Sequence, residues 1–270
     1  MHVVDIYVHK RQRCLAMLLS DRQIVELFHL NVLRGLTAGP DKAQLALKGG
    51  CNLRFFFGSV RYSEDMDVDV SERLEVHSLK ERMDRLLSSS ALALALRAKG
   101  IDVAAVSAPK QTETTQRWKA ELRTKGKPVP LHTKIEFSRR PTTEESVFEA
   151  LDSSILQAYQ LLPLLVRHYP LSTAVRQKVQ ALVGRRVVQA RDVFDLAMLL
   201  GRAGGGRDAL STERSILPKA IERAMDVSFA EYQGQVVAFL EPHHLAEYSS
   251  REAWDALQTS VVENLERAAR

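Results

Sequence analysis

Leu45-Ala46-Leu47-Lys48-Gly49-Gly50-Cys51-Asn52-Leu53-Arg54 runs on through Phe55-Phe56-Phe57-Gly58-Ser59-Val60-Arg61-Tyr62-Ser63-Glu64 to Asp65-Met66-Asp67-Val68-Asp69-Val70. An apolar run reaches a glycine pair, fourteen residues intervene, and from Asp65 onward acidic and apolar residues alternate as they do along a half-buried strand. Successive strand side chains point to opposite faces, so Asp65 and Asp67 project together while Met66 and Val68 turn to a core.

Two carboxylates held side by side on a rigid element suit a hard divalent cation such as Mg²⁺ or Mn²⁺, which holds a nucleoside triphosphate and activates an attacking hydroxyl. The Gly49-Gly50 backbone lacks Cβ atoms and can approach a phosphate closely, with its N–H groups forming part of an anion nest. Lys48 adds a positive charge beside it. A plain strand with an acidic edge would need neither the glycines nor their spacing.

Lys48-Gly49-Gly50, Leu53-Arg54 and Arg61-Tyr62-Ser63-Glu64-Asp65-Met66-Asp67 together resemble the signature of the AbiEii/AbiGii nucleotidyltransferase toxins, the MenT-like enzymes of the polymerase-beta-like superfamily. A second stretch resembles the later motifs of that family: Lys178-Val179-Gln180-Ala181 with Arg185, then Arg191-Asp192-Val193-Phe194-Asp195-Leu196. Gln177 stands where the family more often has an acid. The resemblance spans roughly residues 20–200.

What it implies is an α/β (α+β) bilobed nucleotidyltransferase fold, a mixed β-sheet with flanking helices followed by a C-terminal helical lobe. Asp65 and Asp67 would hold the metal, with Glu136 as a third carboxylate from a neighbouring strand. Arg61 and Ser63 would sit beside the nucleotide. Lys178 and Asp195 would be catalytic, and Arg185 and Asp192 would bind nucleotide, with one of the two aspartates able to orient Lys178, bind base or ribose, or assist the attacking hydroxyl. The implied activity is that of a toxin of a toxin–antitoxin or phage-defence pair, moving a nucleotide from an NTP to RNA. The acceptor end of tRNA is the implied target, and a cognate antitoxin the implied partner. Helical spacing supports part of this, since Lys178 and Arg185 are seven apart and Asp192 and Asp195 three apart.

The charge distribution points to a polyanion. Net charge is +5 with a pI near 9.2. Residues 110–140 carry nine Lys or Arg against three Glu, and residues 167–207 carry eight against Asp192 and Asp195. Such excesses favour a nucleic acid and salt-dependent binding.

The remaining chain is read by periodicity and punctuation. Ser20-Asp21 caps a helix over 22–36, one helix is expected around 79–96, and strands over 101–106, 114–122 and 130–138. Residues 140–143 mark the expected boundary between a catalytic lobe, 1–143, and a lobe over 144–270 that reads helical throughout. Gly204-Gly205-Gly206 is not a phosphate loop, because no strand precedes it and no Gly-Lys-Ser/Thr end follows.

No apolar segment is long enough to span a membrane, and residues 1–10 lack a signal-peptide apolar core. A cytoplasmic location with no membrane partner is expected. Cys14 and Cys51 are expected as free thiols. His243-His244 follows Pro242 with no evident third ligand, so a metal is not expected there.

Overall fold

The computed structural model describes residues 19–139, 144–202 and 207–270. The readings on residues 1–10, Cys14, 140–143 and 204–206 lie outside them.

Helix α1 (Asp21–Thr37) starts at a capping box in which Ser20 Oγ accepts the Gln23 N–H at 3.2 Å and Gln23 Oε1 accepts the Ser20 N–H at 2.9 Å. Most of it is buried, including the polar Glu26 and His29. Strand β1 (Leu45–Lys48) leads straight into helix α2 (Gly49–Phe56), and strand β2 (Met66–Val70) follows with strict alternation of buried and half-buried residues. Helices α3 (Val76–Leu87) and α4 (Ser90–Arg97) replace the single helix expected over 79–96. The break comes from Ser89, whose side chain accepts the Leu92 N–H at 3.3 Å and starts a new helix.

Strands β3 (Ile101–Gln111), β4 (Thr115–Thr124) and β5 (Leu131–Arg139) come next. The charges of β4 are compatible with a strand because they share one face: Gln116, Trp118, Ala120 and Leu122 are buried, and Arg117, Lys119 and Glu121 between them are not.

Beyond residue 143 the structure corrects the all-helical expectation. Strand β6 (Val147–Ala150), the short helix α5 (Ser153–Ala158) and strand β7 (Leu165–His168) precede the helical region. Runs of four residues are too short for hydrophobic periodicity to separate strand from helix. Pairing settles the matter: β7 lies parallel to β1, and β6 antiparallel to β7. The mixed sheet has seven strands in the order β3-β4-β5-β2-β1-β7-β6, which puts β2, the strand of paired aspartates, at its centre.

The rest is helical: α6 (Leu171–Gly184), α7 (Ala190–Leu200), α8 (Arg207–Ser211), α9 (Leu217–Met225), α10 (Phe229–Gln235), α11 (Leu245–Tyr248) and α12 (Arg251–Ala269). Two hydrophobic cores result. One packs the sheet against α1, α3 and α4; the other is built from the late helices, with Leu53 of α2 reaching into it. A short ribbon joins the two regions, with Arg61 bridged to Leu240, the Tyr62 N–H donating to Phe239 O at 2.9 Å and the Glu241 N–H to Val60 O at 3.0 Å. Among the described residues no helix is long and apolar enough to cross a membrane.

Candidate active site

A cleft of about 890 Å³ opens between the sheet and α6. Its floor is β2. The alternation that buries Met66, Val68 and Val70 leaves Asp67 and Asp69 on the cleft side, and Asp65, one residue before the strand, lines the cleft with them. The Asp65 peptide is fixed from below, its carbonyl accepting Ser63 Oγ–H at 2.8 Å and the Cys51 thiol at 3.3 Å. Parallel pairing of β2 with β5 sets Glu136 directly beside Asp67.

These acids differ in how their charge is met. Asp65 is 2.8 Å from Lys134 Nζ and also accepts the Lys134 backbone N–H at 3.2 Å. Glu136 is 2.5 Å from the Arg117 guanidinium, which comes from the facing position on β4. Asp69 is 2.5 Å from Lys48 and accepts the Tyr169 hydroxyl at 2.9 Å. Among the described residues Asp67 makes no such bond. Burial raises its carboxyl above the usual carboxylate range; Lys48 opposes this, and Asp65 and Glu136 reinforce it.

Hard oxygen donors and a half-buried carboxylate without a counterion are what a divalent cation such as Mg²⁺ or Mn²⁺ needs, so the donor set suits the metal expected at Asp65, Asp67 and Glu136. Lys134 and Arg117 now hold two of those three acids.

The glycine turn is tied to the same acids. Gly49 has φ +65°, and a Cβ there would lie 3.0 Å from Asp67 Oδ2. A Cβ on Gly50 would lie 2.5 Å from Ser63 Oγ. Both glycines line the cleft at the N-terminus of α2, where backbone N–H groups lack helical partners and favour an anion.

The opposite wall is a chain of charges, buried except at Arg185, which is exposed. Arg61 donates to Asp195 through Nη2 at 3.1 Å and 3.2 Å and Nε at 3.3 Å; Lys178 Nζ lies 2.6 Å from Asp195 and 3.1 Å from Asp192; Arg185 Nε lies 2.6 Å from Asp192. Burial would discharge Lys178, but Asp195 and Asp192 hold its pKa above the ordinary lysine value. Burial would likewise protonate Asp195, and Arg61 with Lys178 hold it below the usual range. Three cations on two carboxylates leave one positive charge in excess.

Two expectations change here. Asp192 and Asp195 have no exposed surface and do not line the cleft, so of the roles open to them the geometry favours orienting Lys178 over meeting a nucleotide directly. Arg185 is not on the helical face of Lys178: it caps α6 in extended conformation, and the two side chains converge on Asp192 from different directions.

Lys48, Gly49, Gly50, Arg61, Ser63, Asp65, Asp67, Glu136, Lys178 and Arg185 all line the one cleft. Asp69, Arg117, Lys134 and Arg191 line it too and were not singled out in the sequence. Asp69 was within reach, since its spacing from Asp67 gives the same strand face. Arg117 and Lys134 owe their positions to strand pairing that no local pattern encodes. Glu64, the neighbour of Asp65, is exposed and 3.9 Å from Arg191.

Similarity to known proteins agrees with this architecture. The crystal structure of JHP933 from Helicobacter pylori superposes with a TM-score of 0.56 at 18% identity, covering 93% of this chain and 95% of that one. A second H. pylori structure, solved as a candidate nucleotidyltransferase, gives 0.54 at 18% identity, covering 90% and 95%. The fold is that of a nucleotidyltransferase. Residues 31–269 match the family described as "Nucleotidyl transferase AbiEii toxin, Type IV TA system", and the chain belongs to that family. No curated protein matches it.

Proposed function

We propose that this chain transfers a nucleoside monophosphate from an NTP to RNA, most specifically to the 3′ acceptor end of tRNA, and so blocks translation in the cytoplasm until a cognate antitoxin neutralises it. The observation that carries this reading is the cleft itself, with carboxylates on a rigid strand along one wall and a net-positive, largely buried cluster along the other, its outer cation Arg185 exposed. That pairing suits a metal-bound triphosphate lying between them. Family membership supports the toxin role.

In the proposed mechanism Asp65, Asp67 and Glu136 would hold a divalent ion, whose chemistry there would be to draw charge from the triphosphate and acidify the attacking 3′-hydroxyl. The N–H groups at Gly49 and Gly50 cradle phosphate oxygens, and Lys178, kept charged by its aspartates, together with Arg61, oriented by Asp195, stabilises negative charge as pyrophosphate leaves. Lys134 and Arg117, along the cleft edge, turn to the RNA backbone once released from Asp65 and Glu136.

The test is to incubate the protein and Mg²⁺ with each labelled NTP and either total tRNA or total protein, and to sequence the 3′ ends of the recovered RNA. Label on tRNA 3′ ends is expected. Label on protein alone would replace RNA as the substrate, and NTP binding without pyrophosphate release would reject transfer.

A further inference from the structure

The sequence offered no third ligand for His243-His244, but the structure supplies one two residues away. Glu241, His243 and His244 form, among the described residues, the one group of three or more side chains of metal-binding type whose donor atoms lie within 4.8 Å of one another. Glu241 Oε2 is 3.5 Å from His243 Nε2 and 3.8 Å from His244 Nε2. Donors about 2.0–2.1 Å from a tetrahedral ion are themselves about 3.3 Å apart, so Glu241 already stands near ligand spacing from both imidazoles, and the two imidazoles, with donors within 4.8 Å, close on a shared ion by rotation of exposed His243.

The surroundings are built as they are around a metal. The second oxygen of Glu241 accepts a 2.5 Å bond from the Arg54 guanidinium, itself buried and held by Glu26 at 2.7 Å. The other ring nitrogen of His244 lies 3.4 Å from Glu247, the carboxylate–histidine relay that fixes a ligating imidazole. His243 is exposed and free to swing in. Glu241 and His244 border a separate cavity of about 270 Å³, lined also by Glu26, Tyr62 and Tyr159, with room for a fourth ligand.

We infer that Glu241, His243 and His244 form a binding site for a first-row divalent transition metal of the Zn²⁺ class, separate from the carboxylate cleft. Two imidazoles select such an ion over Mg²⁺. The site also has a structural lever. The Glu241 N–H donates to Val60 O, and Leu240 is bridged to Arg61, so an ion here braces the ribbon that presents Arg61 to Asp195.

The experiment uses the full chain without an affinity tag, stripped with chelator. Calorimetric titration with Zn²⁺ should show one tight equivalent, and Co²⁺ should give the visible bands of low-coordinate, imidazole-bound cobalt. Glu247→Gln should weaken Zn²⁺ binding by about 10–100-fold, and the double variant His243→Ala/His244→Ala should weaken it further. Asp67→Ala should leave it unchanged. Failure to bind Zn²⁺, binding that survives the double histidine variant, or binding lost in Asp67→Ala would each overturn the site; the first two leave the transfer reaction proposed for the cleft untouched, and the third would place the ion on the cleft carboxylates instead.

Discussion

The two walls of the cleft carry opposite charges and meet the cost of burying them in opposite ways. On the cationic wall every buried charge has a partner: Asp195 holds Arg61 and Lys178, and Asp192 holds Lys178 and Arg185. On the acidic wall Asp67 has none among the described residues. The contrast separates a scaffold from a site that awaits a ligand. Paired buried charges hold a geometry, and removing one partner strands the other; an unpaired, half-buried carboxylate is a standing cost that a bound cation removes.

The largest effect should come from the unpaired side. Asp67→Ala is expected to cut NTP-to-RNA label transfer by orders of magnitude with the fold retained, and Asp67→Asn to match or exceed the parent thermal midpoint in chelator, because it removes an uncompensated charge. A lower midpoint would mean that Asp67 has a structural partner and the contrast is wrong.

On the paired side the expectation reverses. Asp195→Ala strands Arg61 and Lys178 and should cost about 3–5 kcal/mol of stability, read by denaturant unfolding. Lys178→Met should cost clearly less, because Asp192 keeps Arg185 and Asp195 keeps Arg61. Equal losses from the two variants would show that the cluster is not organised by its aspartates.

Beneath the acidic wall, His29 gives a pH signature. It bonds Thr133 at 2.7 Å and contacts Cys51, and burial pushes its imidazole down to about 4, against the pull of Asp65. Because the folded value is depressed, stability is full above the unfolded value of about 6.5 and falls by about 1.4 kcal/mol per unit as pH drops towards 4. Below that the fall levels off. His29→Gln should flatten this window, and an unchanged slope would place the titration elsewhere. The smallest effect on stability belongs to Gly49→Ala, about 1–2 kcal/mol for a side chain at φ +65°. Its cost in transfer should be larger, since the new Cβ lies 3.0 Å from Asp67 Oδ2.

The same contrast explains what was legible in the sequence. The acidic wall is written in a period of two, so Asp65 and Asp67 could be placed on one face from spacing alone, and Asp69 by the same parity. Glu136 was reachable as an acid on a neighbouring strand. Arg117 and Lys134 were not: Lys134 meets Asp65 across the pairing of β5 with β2, strands far apart in the chain, and Arg117 meets Glu136 through the register of β4 on β5, which residue spacing along one strand does not state. The roles of Asp192 and Asp195 were blurred for a related reason: spacing tells that they share a face of α7, but not that this face is sealed under Arg61, which arrives from 134 residues away. Strands β6 and β7 escaped because four residues carry no readable period.

The central claim is that both walls act on one nucleotide, and single-turnover label transfer from NTP to RNA by Asp67→Asn and Lys178→Met, each first shown to be folded, tests it most directly. Loss of at least about 100-fold in both variants is the predicted result. Transfer at the parent rate by either one would contradict it.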